Sequence, residues 1–267
     1  MYSRHNMVEP EPESVQDIKF SFFFCLFSLS SSGLLVLVCV LSEGIAAFGT
    51  VLHSCQFLAL GAAYEVGKVG LAKMLSGHGS SLRLSLPPVG GHSDNKPIRG
   101  PFLRKFWIKL CRLVSVLTPL WHIARGGAIL VACWLFLLYI TICFGAPLRS
   151  ELVETGSFCL LLTLLTVYPV LLVLGPSTSA VSRVWVASSD SAHAVSCLHT
   201  VGLATLLGAW LGAVPIPLDW DRDWQVWPIS CCLGAVMGHV AGHLVTVARL
   251  WPRMASVQAS RDRRKFM

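Results

Sequence analysis

Charged residues are scarce in this sequence of 267 amino acids. They make up 13% of the chain, about half of the ~25% usual in soluble proteins, whereas hydrophobic residues make up 54% and mean hydropathy is +0.65. Several stretches as long as the roughly 20 residues that cross a hydrocarbon core contain no charge at all. This shortage excludes a soluble enzyme, a disulfide-rich secreted module and a disordered acidic chain, and it predicts an integral membrane protein.

Catalytic motifs are also missing. The chain contains no glycine-rich phosphate loop, no nucleophile elbow and no Cys-x-x-Cys, and most of its 10 cysteines lie in apolar runs, where a thiol is a small apolar side chain. His239 and His243 have the i, i+4 spacing of a metal pair, but no acid lies near them, which favours buried histidines bonded to neighbouring helices. We therefore predict no catalytic residue, no metal and no cofactor. Ionisable groups within membrane spans remain functional candidates: Arg125, His193, His199, His239 and His243.

The apolar runs predict an all-α integral membrane protein with about six transmembrane helices. The predicted spans are residues 20–42, 45–64, 123–145, 155–174, 193–213 and 226–247. The first run is too long, and the tail before it too acidic, for a cleaved signal peptide, so it is interpreted as a signal anchor. Pro169 predicts a kink in the fourth span.

Polar segments divide the chain between these spans. A tail at 1–19 precedes helices 1 and 2 at 20–64, and helices 3 to 6 occupy 113–248 before a basic tail at 249–267. The segment 65–112 is rich in Lys and Arg and broken by Gly and Pro, so it is expected to be a solvated basic loop with partly amphipathic ends.

The distribution of basic residues predicts the orientation. Of the 21 lysines and arginines, all except Arg125, Arg149 and Arg222 fall in the two tails, the 65–112 loop and the 175–192 loop. The positive-inside rule therefore places both termini in the cytosol. The net charge of +7 then reflects membrane topology and indicates no nucleic-acid partner. Arg125, inside the third span, is expected to extend towards the headgroups.

The connection between the fifth and sixth spans combines prolines, tryptophans and acids. The prolines predict an extended exit from the helix, and tryptophan rings prefer the membrane interface. Three carboxylates within five residues are also typical of a metal or phosphate-transfer site, although the alternating Trp and Arg residues argue against that. A rigid interfacial turn and a binding site for a lipid headgroup or a partner both stay open. The candidate residues of this lumenal turn are Pro215, Pro217, Asp219, Trp220, Asp221, Asp223, Trp224, Trp227 and Pro228.

Both of these spans carry glycines at four-residue spacing, which allows helices to approach closely in lipid. Either the two spans pack on each other, or one of these faces receives a helix of another protein. The second interpretation makes the glycines a candidate partner interface: Gly208, Gly212, Gly234, Gly238 and Gly242.

The segment GAWLGAVPIPLDWDRDWQVWPISCCLGAVMGHVAG, residues 208–242, resembles the PIG-F family of phosphatidylinositol-glycan biosynthesis class F proteins. Upstream, Phe144-Gly-Ala-Pro-Leu, Glu154-Thr155, Leu174-Gly175-Pro176 and Arg183-Val-Trp occur in the order that this family shows, so the resemblance covers about residues 144–242.

The resemblance implies a multi-pass endoplasmic reticulum protein of GPI-anchor biosynthesis. It implies a non-catalytic accessory subunit that stabilises the ethanolamine-phosphate transferases PIG-O and PIG-G, with membrane lipid and the GPI precursor as further candidate contacts. The alternative is an integral-membrane enzyme or lipid-handling protein of the same pathway, with the acidic lumenal turn as its site.

Overall fold

The computed structural model describes residues 13–42, 55–76, 101–147, 151–186, 192–218, 220 and 222–265. These residues form helices, turns and connections, with no strand in the described ranges. The predicted all-α class is thus confirmed. The helices are α1 (Glu13–Ser42), α2 (Cys55–Leu75), α3 (Pro101–Cys143), α4 (Leu152–Thr166), α5 (Tyr168–Leu174), α6 (Thr178–Trp185), α7 (His193–Gly212) and α8 (Ile229–Lys265), with a 3-10 turn at Asp223–Gln225.

Four helical stretches are long and apolar enough to cross a membrane. In the described part of the chain they are Leu120–Cys143, Leu152–Leu174, His193–Gly212 and Ile229–Ser260. They correspond to the third to sixth predicted spans. Helix α1 contains the first predicted span, whereas much of the second falls on residues 43–54, outside the described residues. The total of six spans therefore stays a prediction.

The fourth span is interrupted where the sequence predicts a kink. It consists of α4 and α5, which meet at Val167, and Pro169 is the second residue of α5. Proline is tolerated there because its missing N–H would have no partner in the first turn of a helix. Helix α5 ends at Gly175, whose φ of +95° lies in the left-handed region that favours glycine.

The segment 65–112 differs from the basic loop expected there. Residues 65–75 continue α2 and residues 101–112 begin α3, while residues 77–100 lie outside the described ranges. Lys68 is 3% exposed because its ammonium is paired with Glu65 and packed between helices. A charge expected in water is thus buried. The basic tail also differs: residues 249–265 continue α8, which at 37 residues is about 55 Å long and exceeds the ~30 Å hydrocarbon core.

Helices α7 and α8 form the central pair, and the other helices pack around it. Helix α1 packs on α8, α2 packs on α1, and α4 contacts α7 and carries α3 on its outer side. One buried apolar cluster lies among α1, α2, α5, α6 and α7. A second lies among α4, α7 and α8, beneath the connection between α7 and α8. This connection, and the helix pair that presents it, form the candidate site.

Candidate partner-binding turn and its supporting helix pair

The backbones of α7 and α8 touch where their glycines meet. A Cβ atom added to Gly208 would overlap the carbonyl oxygen of Gly234 and lie 2.8 Å from the Cα of Gly238. A Cβ on Gly234 would in turn overlap the carbonyl oxygen of Gly208 and lie 2.9 Å from the Cα of Gly212. No residue larger than glycine fits at this crossing without moving a helix backbone.

The same crossing extends in both directions along the two helices. A Cβ on Gly212 would lie 2.9 Å from the Cα of Cys231, and a Cβ on Gly242 would lie 2.8 Å from the Cα of Val201. A Cβ on Gly238 would overlap the carbonyl oxygen of Ala204. All five glycines of the candidate partner interface therefore face the other helix of this pair. Of the two interpretations of these glycines, the structure shows the one in which the fifth and sixth spans pack on each other.

The turn from Ala213 to Pro228 is closed by one buried side chain, Gln225. Its Nε2 donates hydrogen bonds to the carbonyl oxygens of Pro215 and Leu218, and its Oε1 accepts one from the backbone N–H of Arg222 at 3.1 Å. Gln225 is only 9% exposed, so these bonds satisfy a polar group that burial would otherwise penalise. They hold the two halves of the turn together.

The turn is also attached to α4 through Trp227. The indole Nε1 donates a hydrogen bond to Thr155 Oγ1 at 3.0 Å, and the Trp227 ring packs edge-on against Phe158 with centroids 5.5 Å apart. The peptide bond between Trp227 and Pro228 is cis. Thr155 is fully buried and itself donates to the carbonyl oxygen of Glu151. The turn therefore sits on the bundle at a fixed position.

Most of the exposed side chains in the described part of this turn are apolar. Trp220 is 55% exposed and packs against Trp224 with ring centroids 6.2 Å apart. Four aliphatic side chains of the same connection are also exposed, and they are Val214, Ile216, Leu218 and Val226. A rigid connection with an apolar surface can contact either the membrane interface or a partner protein.

The acidic residues of the turn are described only in part. Asp219 and Asp221 lie outside the described residues, and Asp223 begins the 3-10 turn. Of the other predicted residues, Pro215 is half-buried, Pro217 is exposed and Pro228 is buried. Among the described residues, no group of three or more His, Cys, Asp or Glu side chains could hold a metal ion.

Two residues that organise the turn were missed by the sequence analysis. Gln225 donates hydrogen bonds to the carbonyl groups of Leu218 and Pro215, seven and ten residues earlier in the chain. Thr155 accepts a hydrogen bond from Trp227, more than 70 residues later. Thr155 belonged to a motif of the family resemblance, but no pattern in the sequence indicated its contact. For Gln225, the one signal in the sequence was the presence of a single amide side chain among the tryptophans and acids of the turn.

The opposite end of the bundle gathers α1, α7 and α8. The backbone N–H of His193, the first residue of α7, donates to Asp17 Oδ2 at 2.9 Å, which places a carboxylate at a helix N-terminus. Arg253 Nη1 lies 3.0 Å from His193 Nδ1. The early part of α1, the start of α7 and the late part of α8 therefore share one end, and the turn lies at the other.

A polar cluster lies inside the bundle between these ends. Lys68 Nζ donates to Glu65 Oε1 at 2.6 Å and to Ser28 Oγ at 2.7 Å, and it lies 4.4 Å from the centre of the Phe24 ring. The Phe24 ring in turn packs against His243. The cluster therefore joins the α1–α2 pair to α8.

The two histidines of α8 bond to each other and to α7, as the sequence analysis favoured. The Nε2 atoms of His239 and His243 are 3.2 Å apart, and His239 Nδ1 lies 3.2 Å from Thr205 Oγ1. His239 is 3% exposed and His243 is fully buried. His199 lies elsewhere, against the ring of Trp185.

Residues 116–247, which include the turn, Thr155 and the α7–α8 pair, match the sequence model of the family described as "GPI biosynthesis protein family Pig-F". This region belongs to the PIG-F family. The resemblance indicated by motifs over residues 144–242 is thus confirmed, and the match begins earlier, within α3. Lys68 and Ser28 lie outside the PIG-F region.

Relatives in animals and fungi are similar to about half of the chain. The human protein named "GPI ethanolamine phosphate transferase, stabilizing subunit" is 43% identical over 122 residues, which are 46% of this chain and 54% of the human protein. The mouse protein of the same name is 44% identical over 123 residues, again 46% of this chain and 54% of the relative. "Glycosylphosphatidylinositol anchor biosynthesis protein 11" of Neurospora crassa is 35% identical over 116 residues, 43% of this chain and 41% of the relative. No solved structure matches the chain.

Proposed function

We propose that this chain is a non-catalytic membrane subunit that stabilises a GPI ethanolamine phosphate transferase. The observation that carries the proposal is the PIG-F region, whose human and mouse relatives are named as stabilising subunits of that transferase. The matched segments span about half the length of those relatives. Because the other half is not matched, the activity of the whole relatives is a proposal for this chain. Transferases of the PIG-O and PIG-G type are the proposed partners.

The partner-binding surface in this proposal is the turn between α7 and α8. Its apolar residues are exposed, whereas Gln225 holds the two halves of its backbone together and Trp227 attaches it to α4. A preformed surface loses little conformational entropy on binding, which favours affinity. The five glycines contribute indirectly, because their close crossing sets the spacing of the two helices that present the turn. The sequence of the turn also contains Asp219, Asp221 and Asp223, which give the proposed contact segment negative charge.

The proposed topology is six spans, with both termini in the cytosol and the turn in the lumen of the endoplasmic reticulum. Two contacts support it. His193 contacts both Asp17 and Arg253 at one end of the bundle, where the early part of α1, the start of α7 and the late part of α8 lie. Trp227 and Thr155 meet at the other end, beside the connection between α3 and α4. Of the described basic residues, Lys19, Arg249 and Arg253 belong to the helix segments that meet at the first end, and the positive-inside rule assigns that end to the cytosol.

Co-purification from mild detergent tests this function. A transferase with a large lumenal domain should be recovered with the tagged full-length chain in comparable amount. Trp220→Ala should reduce this recovery about tenfold or more, because a buried tryptophan at an interface centre typically contributes over 1.4 kcal/mol.

Trp251→Ala is the matched control. It removes a tryptophan of similar exposure whose ring packs against Phe22 of α1, away from the turn, so recovery should stay at the wild-type level. If no transferase accompanies the wild-type chain, the proposed function is wrong. If transferase accompanies the chain and Trp220→Ala changes nothing, the function stands and the turn is not the contact surface.

A further inference from the structure

Helix α3 presents a basic pair on a surface that is otherwise apolar. The helix is exposed on all sides from Leu120 to Arg125, at the start of the apolar stretch, where Trp121 is 69% and Ile123 is 72% exposed. His122 and Arg125 are exposed in the same segment. They are three residues apart, so their side chains are neighbours on the helix surface.

The depth of Arg125 in the bundle follows from its neighbour Gly126. A Cβ added to Gly126 would lie 3.3 Å from the Cβ of Pro176, which follows the end of α5 at Gly175. The apolar stretch formed by α4 and α5 ends at this level, and the connection to α6 begins. Arg125 therefore lies near the end of the neighbouring span, where headgroups replace hydrocarbon. An exposed tryptophan such as Trp121 is typical of this interfacial level.

No acidic residue of this chain neutralises Arg125 within the described residues. Helix α3 contains no Asp or Glu from Pro101 to Cys143 but four further basic residues, and Arg125 forms no ion pair with the described part of the chain. The sequence positions of those basic residues are Arg104, Lys105, Lys109 and Arg112. A cation beside lipid gains stability from a counter-charge, and no described residue of this chain supplies one to Arg125.

We propose that Arg125 and His122 bind the phosphate of an anionic phospholipid in the leaflet that borders this end of the bundle. The planar guanidinium can donate two parallel hydrogen bonds to phosphate oxygens, and the imidazole N–H one helical turn away can add a third. Lipid is the occupant because Arg125 lies at headgroup depth and both side chains are exposed, one helical turn before the residues Gly126 and Ile129 at which α3 packs on the neighbouring span. An acidic side chain of a partner helix is the competing occupant. The proposal does not depend on the transferase.

Lipid retention by the purified full-length chain tests this site. The chain is placed in nanodiscs of phosphatidylcholine with a minor fraction of phosphatidylserine, and the lipid that remains bound after detergent extraction is identified by native mass spectrometry. The wild type should retain phosphatidylserine in preference to phosphatidylcholine. Arg125→Gln should weaken this preference about five-fold, since one basic residue near an anionic surface contributes on the order of 1 kcal/mol. Arg125→Lys keeps the charge but loses the paired hydrogen bonds, so its preference should lie between those of Arg125→Gln and the wild type.

Two controls keep the test decisive. Arg263→Gln removes one exposed positive charge from the end of α8 and should leave the preference unchanged. A phosphatidylserine analogue with a photoreactive group close to its headgroup should label the wild-type segment 120–126, a result that needs no variant. An unchanged preference in Arg125→Gln, or labelling that avoids this segment, overturns the proposal. Loss of transferase recovery with lipid preference intact would assign Arg125 to an acidic group of the partner and also overturn it.

Discussion

Gly208 and Gly234 face each other so closely that a Cβ atom on either would overlap the carbonyl oxygen of the other. This reciprocal contact means that α7 and α8 meet backbone to backbone. Lipid provides no hydrophobic drive for helix association, so close packing of small residues supplies much of the stability of such a pair. The crossing is consequently sensitive to any added side chain.

Gly238→Leu should destabilise the bundle. Its Cβ would overlap the carbonyl oxygen of Ala204, which belongs to a helix backbone and cannot rotate away. Overpacking typically costs about 1–3 kcal/mol, and a clash with backbone belongs at the upper end of that range. Thermal unfolding in detergent should show a lower midpoint. Gly67→Leu is the control, because open space surrounds a Cβ there, and an equal loss in both variants would contradict the account.

Gln225→Leu should loosen the turn and spare the bundle. The substitution removes the hydrogen bonds to the Pro215 and Leu218 carbonyls while keeping a side chain of similar size. Each carbonyl keeps one backbone partner, the N–H of Leu218 or of Trp220, so the cost is that of the lost side-chain hydrogen bonds, about 0.5–1.5 kcal/mol each, and it falls on the turn. Transferase recovery should drop, and protease cleavage between residues 213 and 228 should accelerate.

The matched control for this variant is Gln258→Leu, since Gln258 is exposed on α8. It should change neither the recovery of transferase nor the rate of cleavage in the turn. If Gln225→Leu behaves like this control, then the turn does not need its internal hydrogen bonds to bind the partner.

The Lys68–Glu65 pair should show strong coupling in a double-mutant cycle. Removing one partner leaves a buried charge uncompensated, which typically costs about 3–5 kcal/mol, whereas replacing both by apolar residues is often neutral. Lys68→Met and Glu65→Leu should each lower the unfolding midpoint, and the double variant should recover most of the loss. Additive losses in the double variant would show that the two side chains do not interact in the membrane.

Glycosylation mapping should confirm the proposed orientation. The chain has two asparagines, Asn6 and Asn95, and neither lies in an Asn-x-Ser/Thr context. Acceptor sites introduced with spacers near Ser150 and near Asp221 should be glycosylated because both positions are proposed to be lumenal. Sites near Ser93 and after Ala259 should stay unmodified. The reverse pattern would overturn the assignment of sides.

The sequence predicted the features that depend on local periodicity. Glycines four residues apart in Gly234, Gly238 and Gly242 indicated a close helix contact, and the shortage of charge indicated a helical membrane protein. The interruption near Pro169 followed from the missing N–H of proline. These inferences succeeded because each depends on residues within one or two helical turns.

The features that depend on distant contacts could not be predicted in this way. Which helix covers the glycines was left open, because spacing describes one face and not its neighbour. Lys68 was assigned to a solvated loop, since a lysine near other basic residues is usually exposed, and its burial depends on Ser28 and Phe24 of another helix. Gln225 gave no periodic signal, because its bonds go to the carbonyls of Pro215 and Leu218, on the far side of the turn.

The chain is proposed to stabilise a transferase and to perform no transfer itself. The most direct measurement follows the amount of the transferase, and ethanolamine-phosphate transfer to GPI, in cells that lack this chain. The test compares re-expression of the wild type with that of the triple variant Asp219→Asn, Asp221→Asn and Asp223→Asn. The substitutions keep side-chain shape and remove charge. With either protein, ethanolamine-phosphate transfer should therefore recover in proportion to the abundance of the transferase. If the triple variant restores abundance but abolishes transfer, the turn is part of an active site and the stabilising account is contradicted.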